Sequence, residues 1–116
     1  MDAESIREYC LKKKSTTESF PFGNDTLVFK VKGKIFLLLS LNQMPVSFNA
    51  KCDPDQAIEL REQYESIQPG YHMNKKLWNT VTVGADITNK LIKEMIDNSY
   101  LLIVRSLPKK IQEEFL

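Results

Sequence analysis

The stretch TLVFKVKGKIFLLLS, residues 26–40, decides the fold of this chain. Its first large apolar residues recur with a period of two, which predicts a strand whose apolar side chains face one way. These residues are Leu27, Phe29 and Val31. Lys32-Gly33 favours a tight turn, and the nearly continuous apolar run from Ile35 to Leu41 predicts a central strand covered at least partly on both faces. Two antiparallel strands therefore form the centre of a sheet.

A third strand and a second hairpin follow this pair. After a turn at residues 42–45, large and small apolar residues alternate with polar ones through residues 46–51, which completes a three-stranded meander. Residues 71–73 and 77–83 predict two further short strands around Asn74-Lys75-Lys76.

Capping signals predict helices before and after the meander. Asp2 caps a first helix that should end near Ser15. Asp53-Pro54 combines a capping oxygen with a proline at the first helical position, and Pro69-Gly70 is expected to end this second helix. The apolar periodicity from Ile87 to Ile103 predicts a long amphipathic third helix.

The remaining segments complete a predicted fold. Phe20-Pro21-Phe22 reads as an ordered loop whose aromatic side chains plug the core, and residues 109–116 form a short helix after Pro108. Because the strands come in antiparallel groups, we predict an α+β two-layer sandwich. Its antiparallel sheet is built from the meander and the second hairpin, packed against helices, in a single domain over residues 1–116.

The amino-acid composition indicates which class of protein this chain belongs to. The 116 residues are 42% hydrophobic and 27% charged, as in a soluble globular domain. No apolar run approaches the length of a membrane span, the first residues do not resemble a signal peptide, and the two cysteines lie far apart. We therefore expect a cytoplasmic monomer with no membrane association.

Charge is balanced overall but not locally. Sixteen basic residues face fifteen acidic ones, so any attraction for a polyanion must come from a local cluster. Lys32 and Lys34 flank one predicted turn, and Lys75 and Lys76 occupy the other. Lysines on hairpin turns can contact phosphates, and they also serve to keep exposed strands soluble; both interpretations are open.

The segment 70–80 gathers the only histidine and the only tryptophan. A catalytic role for His72 requires a nucleophile and an orienting carboxylate, and the sequence marks neither. One histidine and two distant cysteines make no metal-ligand set. We therefore interpret His72 as a structural residue and predict no enzyme activity, no metal and no cofactor.

Four segments together resemble the MmcQ/YjbR family of small bacterial proteins. They are Phe20-Pro21-Phe22-Gly23, Lys51-Cys52-Asp53-Pro54, residues 70–80, and Ser106-Leu107-Pro108-Lys109-Lys110. The resemblance implies a two-layer α/β fold with paired hairpin wings, for which DNA binding has been proposed. Many relatives have a histidine after the two lysines, where this chain has Leu77, so chemistry that requires a second imidazole there is not expected.

Two functional hypotheses follow. The first is a non-enzymatic protein that binds double-stranded DNA mainly through phosphates. Its contact residues would be Lys32, Lys34, Lys51, Lys75, Lys76, Trp78 and Asn79. The second is a protein-interaction or small-ligand module with a cleft lined by Phe22, Tyr71, His72, Trp78 and Asn79. The position of Trp78 separates them, since an exposed indole between lysines favours DNA and an indole in an apolar pocket favours a ligand.

Overall fold

Six strands form one antiparallel sheet in the computed structural model, which describes residues 1–71 and 73–115. In chain order they are β1 (Thr16–Ser19), β2 (Thr26–Val31), β3 (Lys34–Ser40), β4 (Ser47–Lys51), β5 (Ile67–Pro69) and β6 (Trp78–Thr82). Their order across the sheet is β1-β2-β3-β4-β6-β5. The described helices are α1 (Ala3–Leu11), α2 (Pro54–Gln63), α3 (Asn89–Arg105) and α4 (Lys109–Gln112), followed by a short 3₁₀ turn at Glu113–Phe115. The predicted α+β class and the β2-β3-β4 meander are confirmed.

The helices cover one face of the sheet. Inward-facing residues of β2, β3, β4 and β6 meet the apolar sides of α1 and α3 in the main core. The β2–β3 register shifts after Phe29, and beyond this irregularity Phe36 and Leu37 are both fully buried. Phe36 and Leu37 both belong to this main core, whereas Leu38 packs in a separate cluster on the other side of the sheet. The apolar stretch of β3 therefore supplies side chains to both faces, as its near-continuous hydrophobicity predicted.

Two elements differ from the sequence prediction. The second helix ends at Gln63 instead of Pro69-Gly70, because Ile67 pairs with Val81 and starts β5. Residues 71 and 73 consequently lie in the connection after β5 and not in a strand. The first helix ends at Leu11, and the left-handed backbone of Ser15, with φ of 62°, separates it from β1, which the polar sequence TTES did not reveal.

The prediction that the Phe20-Pro21-Phe22 loop plugs the core is wrong. Phe20 is 48% exposed and Phe22 is 67% exposed. Fully buried side chains such as Ile6 and Ile96 already fill the space between sheet and helices, so the aromatic rings of this loop stay at the surface.

The opposite side of the sheet, which we call the open face, carries a second and smaller cluster. Val28, Leu38 and Trp78 form it, and the described helices contribute no residue to it. Ile35, Met73 and Leu77 pack around it as partly buried neighbours. The β5–β6 connection, described for residues 70–71 and 73–77, therefore packs onto the open face through Met73 and Leu77.

Candidate nucleic-acid interface and adjoining cavity

The strand register brings both lysine-bearing turns to the same end of the sheet. Val31 pairs with Lys34, Lys51 with Trp78, and Pro69 with Asn79. The β2–β3 turn, the last residue of β4 and the β5–β6 connection consequently share one end, which we call the lysine end. With strands about 4.8 Å apart, the two turns are separated by about 14 Å. The lysine end comprises Lys32, Lys34, Lys51, Lys75 and Lys76.

The first pair of lysines is engaged with the C-terminal helices. The Lys32 Nζ lies 3.1 Å from a carboxylate oxygen of Glu114, and the Lys34 Nζ lies 3.4 Å from the Oγ of Ser106. The Lys32–Glu114 side chains are 34% and 53% exposed. An ion pair in such a position contributes only about 0–1 kcal/mol, so a phosphate can replace the carboxylate at little cost.

The other three lysines make no ion pair with any residue that the structure describes. Lys75 and Lys76 are exposed in the β5–β6 connection, and Lys51 is half-buried opposite Trp78. Lys30, which the sequence analysis did not select, is also without an ion pair within the described ranges and lies on the open face opposite Ile35. Strand alternation was the signal that could have identified it.

Trp78 holds the β5–β6 connection in place. It is only 9% exposed and packs in the cluster on the open face, so it is not the exposed stacking platform that DNA binding by its indole requires. The amide of Gly70 donates to the carbonyl of Trp78 at 2.8 Å, and a Cβ on Gly70 would lie 2.8 Å from the Cβ of Trp78. The loop therefore closes tightly against this tryptophan.

The prediction that Asn79 contacts DNA or lines the ligand cleft is wrong. Its side chain is 2% exposed and points to the helix layer, because neighbouring strand residues face opposite sides. Its Oδ1 accepts from the Nε of Arg61 at 2.7 Å, and its Nδ2 donates to the carbonyl of Ala57 at 3.4 Å. Asn79 therefore connects the sheet to α2.

Arg61 is a site residue that the sequence analysis did not identify. Besides Asn79, its guanidinium donates to the carbonyls of Lys75 and Trp78. It thereby fixes the backbone of the segment that carries Lys75 and Lys76. Arg61 is the single basic residue within α2 in a segment rich in acids, and that isolation was the one sequence signal available.

The remaining candidates for chemistry are few. Burial, followed by the adjacent charge of Asp53, raises the pKa of the Cys52 thiol, which keeps it protonated near neutrality. His72 lies outside the described residues. Within residues 1–71 and 73–115, no cluster of three potential metal ligands is present, and no helix is long and apolar enough to cross a bilayer.

A cavity of about 440 Å³ adjoins the open face away from the lysine end. It is lined by Phe22, Asp25, Thr26, Leu38, Ser40, Asn42, Gln43, Asn49, Tyr71 and Met73. Of the residues predicted for a cleft, the structure brings Phe22 and Tyr71 together here. Trp78 lies in the neighbouring cluster, and Asn79 faces the other side of the sheet.

Comparison with known proteins identifies the family. The YjbR family model matches residues 11–102. The chain belongs to the YjbR family. Among YjbR-family relatives, the uncharacterized protein YbdF of Escherichia coli is 38% identical over 117 residues, covering 97% of this chain and 96% of its own length. The uncharacterized protein YjbR of Escherichia coli is 26% identical over 110 residues, covering 95% and 93% of the two chains.

Solved structures show the same YjbR-family fold. The crystal structure of a Deinococcus radiodurans protein with a DUF419 domain superposes with a TM-score of 0.91 at 37% identity, covering 96% of this chain and 85% of the other. A crystal structure of a Pseudomonas syringae protein gives a TM-score of 0.76 at 28% identity, covering 88% and 98%. The family and the fold expected from the sequence motifs are therefore confirmed.

Proposed function

We propose that this YjbR-family protein is a non-enzymatic DNA-binding protein that contacts the phosphates of duplex DNA with the lysine end of its sheet. The observation that carries the proposal is the common direction of the two turns, with Lys51 between them. A polyanion laid across this end can meet cations from both turns at once.

The state of the lysines supports the same role. Lys51, Lys75 and Lys76 have no carboxylate partner in the described part of the chain, and the partner of Lys32 is held by a weak, exposed ion pair. The carboxylate of Asp53, next in sequence to this region, is occupied as an acceptor for the first amides of α2. Little internal charge must therefore be displaced before phosphates bind.

The affinity of such phosphate-directed binding depends strongly on the salt concentration and only weakly on the DNA sequence. The lysines proposed to contact DNA lie on turns, in a connection and at a strand end, and none of them belongs to a helix that the structure describes. Readout of base edges by a recognition helix is therefore not part of the proposal. If about four phosphates are neutralised, the slope of log K against log salt is about −3.6. Affinity at physiological salt is expected in the range of about 10⁻⁴ to 10⁻⁶ M.

Fluorescence anisotropy with a labelled duplex at two ionic strengths tests the proposal. Lys75→Glu/Lys76→Glu should weaken binding about tenfold or more, because two cations in the binding region become anions. Lys90→Glu/Lys93→Glu is the matched control. These exposed lysines lie near the start of α3, whereas Ser106 at the other end of that helix contacts Lys34. Equal losses in the two variants, or binding insensitive to salt, would contradict the proposal.

We further propose that the protein works as a cytoplasmic monomer. Both cysteines, Cys10 and Cys52, are free and buried, as is typical of a reducing compartment. Sedimentation of the free protein and of the DNA complex measures the oligomeric state. A single 13.4 kDa species before DNA is added is the expected result.

A further inference from the structure

The cavity on the open face is built from three separate segments and is distinct from the lysine end. Phe22 and Asp25 come from the loop between β1 and β2, Asn42 from the turn after β3, and Tyr71 from the β5–β6 connection. The sheet supplies the floor. None of the lysines at the lysine end lines this cavity, so a ligand here is recognised by different groups from those proposed to hold DNA.

Several polar side chains in the cavity have no internal hydrogen bond within the described part of the chain. They are Asp25, Thr26, Ser40 and Asn42. Asn49 uses its Oδ1 to accept from the hydroxyl of Thr80, which leaves its amide N–H groups available as donors. The cavity therefore offers donors and acceptors together, held on strands and turns.

Two exposed aromatic rings line the cavity from different segments. Phe22 is 67% exposed and Tyr71 is 69% exposed. Gly23, directly after Phe22, has a φ of +110°, a backbone conformation that favours glycine. This glycine therefore stabilises the turn that places the Phe22 ring at the cavity. Aromatic rings stack on flat ring systems, with a gain of about 0.5–1.5 kcal/mol beyond the buried area.

The charge of the described lining disfavours anionic ligands. Asp25 is its one charged side chain, and no lysine or arginine is present among the lining residues that the structure describes. A phosphate or carboxylate group would meet the carboxylate of Asp25 there, with no cation from the described lining to balance it. The volume lies within the usual range of about 300–1,000 Å³ for small-molecule sites.

We infer that this cavity binds an uncharged nucleoside, with its heteroaromatic base stacked on Phe22 and Tyr71. The hydroxyls of Thr26 and Ser40 and the amide of Asn49 pair with polar groups of the base or the sugar. The many neutral donors and acceptors favour a polar heterocycle over a purely hydrocarbon ring. The inference stands on the cavity alone and does not depend on DNA binding.

Calorimetric titration with adenosine and uridine tests the inference, with adenosine monophosphate, glucose and tetramethylammonium as comparison probes. Saturable binding of at least one nucleoside is expected. The monophosphate should bind more weakly because of Asp25, and neither glucose nor tetramethylammonium should bind detectably. A monophosphate that binds as tightly as its nucleoside, binding only of glucose or tetramethylammonium, or no nucleoside binding at millimolar concentration would overturn the inference.

Matched variants locate the binding. Phe22→Ala and Tyr71→Ala should each weaken nucleoside binding about fivefold or more through lost stacking, whereas Tyr71→Phe keeps the ring and most of the affinity. Phe20→Ala removes an exposed aromatic of the same loop that does not line the cavity, and it should have no effect. Equal effects of Phe20→Ala and Phe22→Ala would overturn the assignment. Lys75→Glu/Lys76→Glu should leave nucleoside binding intact, which separates this site from the DNA surface.

Discussion

The guanidinium of Arg61 and the side-chain oxygen of Asn79 lie 2.7 Å apart, in a hydrogen bond that ties α2 to the start of β6. Because Asn79 is 2% exposed, this oxygen cannot turn to bulk water when its partner is removed. The same guanidinium donates to the carbonyl of Lys75. Arg61 therefore acts as a positioning residue for the lysines of the β5–β6 connection.

Arg61→Ala should lower the free energy of unfolding by about 1–3 kcal/mol, since it leaves a buried amide oxygen unpaired. Urea denaturation measures this loss, and hydrogen exchange should show faster opening of residues 75–78. The exposed neighbour Glu62 provides the control, because Glu62→Ala also truncates a charged side chain of α2 but leaves the hydrogen bonds of Arg61 in place. A variant at Arg61 as stable as that control would show that the hydrogen bonds carry no net stabilisation.

Gly70→Ala should disrupt the packing of Trp78. The added methyl would lie 2.8 Å from the Cβ of Trp78 and 2.9 Å from its carbonyl oxygen, so the loop must move away. We expect a red-shifted indole emission and a loss of about 1–3 kcal/mol in stability. In contrast, Gly33→Ala meets no atom within 4 Å and strains only a turn with φ of +82°, so its indole emission should stay unchanged.

Much of the sheet follows from local patterns, whereas the β5 strand does not. The period of two in β2 and the paired Asp53-Pro54 signal specify their elements without help from distant residues. Ile67 continues the helical spacing of Ala57 and Leu60 equally well, and only its pairing with Val81 selects the strand. The local sequence around Ile67 does not reveal this pairing with a distant strand, so it could not distinguish the strand from a longer helix.

The sequence predicted where the lysine-bearing turns lie, but it did not predict the contacts and exposure of the individual side chains. The two lysine turns were correctly located, but the contact of Lys32 with Glu114 joins residues 82 positions apart. The exposure of Phe22 depends on how completely other side chains fill the core. The opposed directions of Trp78 and Asn79 follow from strand alternation, which is inconsistent with placing both on one surface.

Removing the carboxylate beside Lys32 should strengthen DNA binding. Glu114→Gln frees the ammonium and removes one negative charge near the proposed interface, at a cost in stability below about 1 kcal/mol. Glu113→Gln changes charge equally at a neighbouring exposed residue for which the structure shows no ion pair. Anisotropy titrations at low salt should show a larger gain for the first variant, and no difference between them would argue that Lys32 does not contact DNA.

Stability should fall as the pH rises above 9. Burial raises the pKa of Cys10 from 9.0 to about 12, and burial together with the hydrogen bond to Asp97 raises the pKa of Tyr9 from 10.0 to about 12. The folded protein thus keeps protons that the unfolded chain has lost, so the stabilisation is complete below pH 9 and disappears towards pH 12. Each group contributes a slope of up to about 1.4 kcal/mol per pH unit.

Urea denaturation at pH 7, 9, 10 and 11 measures this dependence. Tyr9→Phe should flatten the decline above pH 10, and Cys10→Ala should flatten it from pH 9 upwards. Stability that is independent of pH over this range would show that neither group titrates differently on folding.

The most direct test of the central claim is the salt-dependent affinity of the Lys75→Glu/Lys76→Glu variant for duplex DNA, measured beside Lys90→Glu/Lys93→Glu. Our account predicts that the first variant loses at least about tenfold in affinity and shows a shallower slope of log K against log salt by about 2, while the second stays close to wild type. Wild-type affinity and slope in the first variant would contradict a DNA-binding role for the lysine end.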